Sequence, residues 1–176
     1  MNLEVIMAGF GGQGVMLMGQ LLTYAGMLDG KQVSWMPSYG PEMRGGTANC
    51  TVIISDSLVG SPVVTTPGAV VAMSLPSMDK FEASIKPGGI MIYNSSLISR
   101  APLRNDITYV SIPANDIATD LGNNKVANIV MLGALLKLTQ VVTIESVEKS
   151  FLKAFPAHRH NLIPLNLQAL NKGLSL

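Results

Sequence analysis

The sequence predicts an α/β fold with a mainly parallel sheet and helices on both faces. Three observations predict it. Segments of strand length alternate with segments of helix length along the chain. The strand segments are apolar throughout rather than on alternate residues, which marks strands buried on both faces. The first of them runs into a glycine-rich turn that opens a helix. The chain has 176 residues and shows no internal repeat, low-complexity tract or linker, so residues 1–176 read as a single domain.

Residues 3–8 form the first strand, short, apolar and ended by Gly9. Residues 15–28 are good helix formers, apolar on most sides, so this helix is buried, and Gly30 is placed to close it. Residues 32–36 form a second strand and residues 37–46 a loop rich in glycine and proline. The β-branched run 48–54 is a third strand, closed by Ser55, Asp56 and Ser57 as a turn, and residues 70–74, 90–93 and 108–112 complete the strands. Residues 77–85, 114–121, 127–138, 144–154 and 164–172 read as helices. Thr143 is suited to cap the fourth of these, with Glu145 in its first turn, where the helix dipole favours an acid.

Apolar residues make up 48% of the chain and charged residues 13%, about half the roughly 25% usual for a globular domain. A surface so poor in charge predicts buried subunit interfaces. The net charge of +1, scattered cations and 5% aromatic residues argue against nucleic acid as a partner. Cys50 is the single cysteine, which excludes an intrachain disulfide and an iron–sulfur cluster held by this chain, and points to a reducing cytoplasm. Residues 5–28 and 57–78 carry no charge. Six glycines interrupt the first stretch and Pro62, Pro67 and Pro76 the second, so neither is expected to span a membrane.

Gly9, Gly11 and Gly14 satisfy G-x-G-x-x-G between a strand and a helix. Three uses of this turn are open. Its glycines can let backbone N–H groups approach a phosphate at the helix N-terminus, let strand and helix pack tightly, or serve a dinucleotide. The dinucleotide use needs an acid at the end of the second strand to hold a ribose hydroxyl, and Met36, Pro37 and Ser38 stand there instead. The loop that follows holds Glu42 and Arg44, the only charges between Lys31 and Asp56. Ligands of open α/β sheets sit outside the carboxyl ends of the strands, so this loop is expected beside the glycine turn. Arg44, next to Gly45 and Gly46, suits a carboxylate or phosphate, and the competing use is an ion pair with Glu42 that stiffens the loop.

These segments together carry a resemblance. The turn Gly9-Phe10-Gly11-Gly12-Gln13-Gly14, the loop Ser38-Tyr39-Gly40-Pro41-Glu42-Met43-Arg44-Gly45-Gly46, and Val52-Ile53-Ile54-Ser55-Asp56 with Gly60-Ser61-Pro62 resemble the gamma domain of 2-oxoacid:ferredoxin oxidoreductases. Lys86-Pro87-Gly88-Gly89 and Asn94-Ser95 fit as well, so the resemblance covers nearly the whole chain. The form of the Tyr39–Arg44 segment is most similar to 2-oxoglutarate and 2-oxoisovalerate members.

The resemblance implies a Rossmann-like gamma subunit that is inactive alone. The enzyme would cleave a 2-oxoacid oxidatively with coenzyme A to acyl-CoA and carbon dioxide, with electrons passing to ferredoxin. It implies alpha and beta subunits, the latter thiamine-binding, and a ferredoxin-like delta subunit. Thiamine diphosphate, Mg and the iron–sulfur clusters would sit on those partners, and coenzyme A would be contacted in the complex. Arg44 would bind the substrate carboxylate, with Glu42 and Tyr39 beside it. Gly9, Gly11, Gly12, Gln13, Gly14, Gly45 and Gly46 would approach the cofactor. An isolated chain would expose interface and self-associate. Two readings compete: a stand-alone Rossmann-fold nucleotide-dependent oxidoreductase, and a non-catalytic module that binds acyl-CoA or an acidic metabolite.

Other features read more plainly. His158 and His160 lack an acid or cysteine nearby to complete a metal site, so Arg159 and its neighbours form a solvated basic turn. Asn123, Asn124 and Lys125 read as a helix-start turn, with a phosphate contact as the alternative. The eleven methionines read as core filler.

Overall fold

The computed structural model describes residues 2–38 and 47–176. In chain order the elements are β1 (Asn2–Phe10), α1 (Val15–Leu28), β2 (Gln32–Ser38), β3 (Thr47–Ser55), β4 (Ala69–Ala72), α2 (Leu75–Phe81), β5 (Ile90–Asn94), β6 (Thr108–Ile112), α3 (Ala114–Asp120), α4 (Ala127–Thr139), α5 (Ile144–Ala154) and α6 (Ile163–Ser175). The strands form one six-stranded sheet in the order β2-β3-β1-β4-β5-β6. β1, β4, β5 and β6 are parallel, whereas β3 runs antiparallel to both β1 and β2. The expected first strand is therefore central, but it is parallel to only one of its two neighbours.

Several boundaries differ from expectation; the helix expected at 77–85 is α2 at Leu75–Phe81 followed by a 3-10 turn over Glu82–Ser84. Two other shifts have a local cause. Pro37 belongs to β2 rather than to the loop; β2 is an edge strand, where the missing N–H of proline is tolerated. Ser74 lies outside β4 and precedes α2 as an extended N-cap residue, its hydroxyl 2.9 Å from that of Ser77.

β1 explains why its sequence is apolar without alternation. Val5 and Met7 point to one face and Ile6 and Ala8 to the other, and all four are buried. The faces are covered unequally. Val5 and Met7 join a large core with α1, α3, α4, α5 and α6. Ile6 and Ala8 join a smaller one in which Met78 of α2 and Ile98 lie over Val70, Ala72 and Met91.

Asp29 ties α1 to α5. It stands at the C-cap of α1, while its carboxylate accepts hydrogen bonds from the Thr143 N–H at 2.6 Å, the Thr143 hydroxyl at 2.8 Å and the Ser146 hydroxyl. Thr143 in turn accepts from the Ser146 N–H at 3.2 Å and so caps α5 as expected.

Glu82, buried just after α2, organises the 100–104 connection. It accepts from Arg100 at 2.7 Å, from the Leu103 N–H at 3.2 Å and from the Tyr109 hydroxyl. Burial alone would raise its pKa, but the hydrogen bonds from Tyr109, Arg100 and Leu103 together hold it below the usual carboxylate value. A depressed folded pKa contributes stability that is present above the unfolded pKa and lost as pH falls through the folded one. Glu82→Gln should therefore lower the melting temperature near neutral pH. It should also flatten the loss of stability that the parent shows below about pH 4.5. Melting curves from acid to neutral pH check this; parallel profiles for parent and variant would contradict it.

Candidate functional site

The site forms where β1 ends. Phe10 is the last residue of β1, Gln13 donates its N–H to the Phe10 carbonyl at 3.2 Å, and Gly14 begins α1. Gly12 and Gly14 have φ of 92° and 74°, in the left-handed region that other residues avoid. The Gln13 side chain locks the turn from inside. Its Oε1 accepts from the Phe10 N–H at 2.6 Å and its Nε2 donates to the Met73 carbonyl at 3.2 Å, at the end of β4. Met73 in turn donates its N–H to the Ala8 carbonyl at 2.8 Å, so turn and sheet end are one hydrogen-bonded unit.

Gly14 is also required by contact. A Cβ there would lie 2.4 Å from Asn128 Nδ2, which donates to the Gly14 carbonyl at 3.0 Å. Asn128 is buried in the first turn of α4, and its Oδ1 has no hydrogen-bond partner among the described residues. Among the described residues a Cβ on Gly12 would meet nothing within 4 Å, so this residue presents open backbone to them. The turn thus divides its labour: Gly9 and Gly14 sit against Met73 and Asn128, and Gly12 stands clear of the described residues. Among the described residues no side chain caps α1, and no acid stands in its first turn, so the start of the helix retains the polarity that favours an anion.

Tyr39, Glu42, Arg44, Gly45 and Gly46 lie outside the described residues. The ends of their loop are described. Ser38 pairs with Asn49, and Thr47 pairs with Phe10, the residue on which the glycine turn begins. Both anchors of the loop therefore stand at the carboxyl end of β1. A crevice of about 310 Å³ lies there, lined by Phe10, Gly11, Gly12, Gly14, Leu17 and Ala48.

The sheet order bears on the dinucleotide use. In that arrangement the second strand lies next to the first. Here β3 stands between β1 and β2. The end of β2, where a ribose acid would be needed, is two strand spacings from β1, roughly 10 Å.

Other candidates fall outside this crevice. Cys50 is buried under α1, and burial pushes its thiol up to about 11, so it stays a neutral thiol. Among the described residues no group of three or more His, Cys, Asp or Glu could hold a metal ion. His160 is occupied by the Phe155 carbonyl at 2.9 Å. Asn128 was not expected from the sequence; the signal is one amide in the otherwise apolar start of α4. No helix of the described residues is long and apolar enough to cross a membrane.

Residues 4–176 match the sequence model of the pyruvate ferredoxin/flavodoxin oxidoreductase family. The chain belongs to that family. Its relatives include the ketoisovalerate oxidoreductase subunit VorA of Methanothermobacter thermautotrophicus, 40% identical over 98% of this chain and 36% of that one. They also include the 2-oxoglutarate synthase subunit KorC of Methanocaldococcus jannaschii, 40% identical over 98% of this chain and 92% of that one. The chain thus spans about a third of the VorA relative and nearly all of KorC. Among solved structures, the gamma subunit of a keto/oxoacid ferredoxin oxidoreductase from Geobacter sulfurreducens superposes with a TM-score of 0.85. It is 34% identical, over 98% of this chain and 96% of that one. The antiparallel β3 within an otherwise parallel sheet is thus the architecture that this member of the pyruvate ferredoxin/flavodoxin oxidoreductase family uses to present the glycine turn.

Proposed function

We propose that this chain is the gamma-type subunit of a multisubunit 2-oxoacid:ferredoxin oxidoreductase of the cytoplasm, with residues 1–176 acting as one domain. The enzyme converts a 2-oxoacid and coenzyme A to acyl-CoA and carbon dioxide and passes the electrons to ferredoxin. The observation that carries this reading is end-to-end correspondence with a gamma subunit of that class of enzyme. The alpha, beta and delta subunits are its partners. Thiamine diphosphate and iron–sulfur clusters on those partners supply the carbanion chemistry and electron transfer. One buried cysteine suits this chain to neither role.

The chain's own part is to hold and enclose. Arg44 grips the oxoacid carboxylate through two parallel hydrogen bonds, and Gly45 and Gly46 let the backbone place it. Glu42 and Tyr39 line the same loop, with Glu42 orienting the guanidinium. The Gly9–Gly14 turn offers open backbone at Gly11 and Gly12 to coenzyme A, while Gln13 keeps the turn in shape. The loop leaves β2 and enters β3 at the carboxyl end of β1, which supports bringing the two parts to one crevice.

The competing stand-alone nucleotide-dependent enzyme is disfavoured by the strand inserted between β1 and β2 and by the missing acid. One calorimetric experiment separates the readings. The chain is titrated with NAD, with NADP and with the thiamine-binding subunit. The subunit should give saturable heat and the nucleotides none in the micromolar range. Micromolar affinity for either nucleotide, with no heat from the subunit, would overturn the proposal.

A further inference from the structure

The sheet carries a pocket at the opposite end of β1, on the face that Ile6 and Ala8 share. Asn2 and Glu4 of β1 stand in register with Ser55 and Ile53 of β3, and all four point to that face. Met78 of α2 and Ile98 cover Ile6 and Ala8. Over Glu4 and Ile53 the cover is instead the connection 56–68, which contains no helix or strand. A pocket of about 220 Å³ remains between the four strand residues and Ser57, Leu58 and Val63 of the connection. Glu4 precedes Phe10 by six residues, so the pocket lies roughly 20 Å from the glycine turn. It holds Gly60 and Ser61, from a segment that the sequence singled out and the proposed function leaves without a part.

The connection is tied down at both ends. The Ser57 N–H donates to Ser55 Oγ at 3.1 Å, and the Gly68 N–H donates to the Glu4 carbonyl at 2.9 Å. Between them Ser61 Oγ accepts from the Val63 N–H at 3.1 Å. Glu4 itself makes no ion pair or side-chain hydrogen bond among the described residues, and Lys86, packed beside Gly68, stays out of salt-bridge reach of it. Asp56 nearby, by contrast, pairs with Lys31. The rim is apolar and open. Leu58 is 86% exposed and Val63 61%, on a connection with no charge from residue 57 to residue 68.

An unmatched carboxylate within an exposed apolar rim suits a protein segment whose cation enters the pocket while its apolar flanks cover the rim. A small free cation would leave Leu58 and Val63 in water. The volume is also below the roughly 300–1,000 Å³ usual for small-molecule sites, so one side chain fits it better than a whole ligand.

We infer that this pocket is a docking socket for a lysine or arginine side chain of a neighbouring subunit. Glu4 takes the cation, with the hydroxyls of Ser55 and Ser57 beside it, and Leu58 and Val63 take apolar residues on either side. The inference rests on the gamma-subunit reading for the existence of that neighbour, and adds the surface and the chemistry by which it docks.

The full chain is titrated into the assembled alpha and beta subunits as parent, Glu4→Gln, Leu58→Ser and Glu148→Gln. Glu148 is an exposed carboxylate on α5, which packs on the other face of the sheet, and its variant is the control. Glu4→Gln should weaken association by about tenfold or more and flatten its dependence on salt, because a charge-assisted hydrogen bond is lost. Leu58→Ser should weaken it by about tenfold and keep the parent's salt dependence, because only apolar burial is lost. Both variants should melt with the parent, since neither side chain belongs to either core. Association of either variant within about twofold of the parent overturns the inference and leaves the gamma-subunit reading standing, as does equal weakening by the control. Failure of the parent to associate removes the subunit reading and the socket with it. In a separate arm the isolated chain is titrated with spermidine and should give no heat. Micromolar spermidine binding that Glu4→Gln abolishes, with association unchanged, would assign the pocket to a small polyamine and overturn the docking role.

Discussion

In the assembled enzyme, Arg44→Ala should lower kcat/KM for the oxoacid by roughly 10- to 150-fold, the loss of a charge-assisted hydrogen bond of about 1.5–3 kcal/mol. Arg44 and Glu42 are the only charges between Lys31 and Asp56, and they sit on a loop whose ends are fixed at the carboxyl end of β1. A 2-oxoacid brings a carboxylate that must be held while its keto carbon reacts. A guanidinium holds it with two parallel bonds, so Arg44→Lys, with a point charge in place of the fork, should retain part of the activity. Assembly and cofactor content should stay at parent levels, because the core that Val5, Met7 and their neighbours form keeps all of its residues. Steady-state kinetics with several oxoacids check this. A kcat/KM within twofold of the parent for all of them would reduce Arg44 to a partner of Glu42 that stiffens the loop.

Gly173→Ala should have the largest effect on stability. α4 and α6 touch backbone to backbone: a Cβ on Gly173 would lie 2.1 Å from the Val130 carbonyl oxygen, and one on Gly133 would lie 2.3 Å from that of Leu170. These are main-chain atoms of two helices, so relief requires moving a whole helix. Alanine gains about 1 kcal/mol of helix propensity over glycine, and the clash outweighs it. The net loss should be about 3 kcal/mol, the upper end of ordinary overpacking, or a fall of roughly 6–12 °C in Tm for a chain of this size. Gly60→Ala, where a Cβ meets nothing within 4 Å among the described residues, is the control and should change stability by less than about 0.5 kcal/mol. The effect should reach the site. α4 carries Asn128, which holds Gly14. A Gly173→Ala chain as stable as the parent would contradict this packing.

Much of the fold was legible because its signals are local. α1 and α5 begin and end at the expected residues. For α5 the Thr143 cap marks the start; for α1 the Gly30 position, with φ of 72°, marks the stop. The direction of β3 was not legible from its residues, since a strand buried on both faces reads the same whichever way it runs. The usable signal was the connection: residues 39–46 are too few for a parallel crossover, which takes about a dozen residues or more. The glycine turn was legible as a turn, but its partner Asn128 is more than a hundred residues away and no local pattern links the two. Gly133 and Gly173 are a similar case: glycine inside a helix hints at a close approach, and only the fold says to what. That Lys125 and Arg159 line one cavity with Gly12 was not legible, because they come from separate connections that meet only in three dimensions.

The central claim is that the chain completes an enzyme whose chemistry lies on other subunits, and a drop-out assay tests it most directly. Coenzyme A-dependent oxidation of a 2-oxoacid is followed with an acceptor dye, thiamine diphosphate and Mg present throughout. The chain is assayed alone, the partner subunits without it, and all of them together. Turnover should appear only in the last mixture. Oxoacid oxidation by the chain alone, or a full rate from the partners without it, would contradict the account.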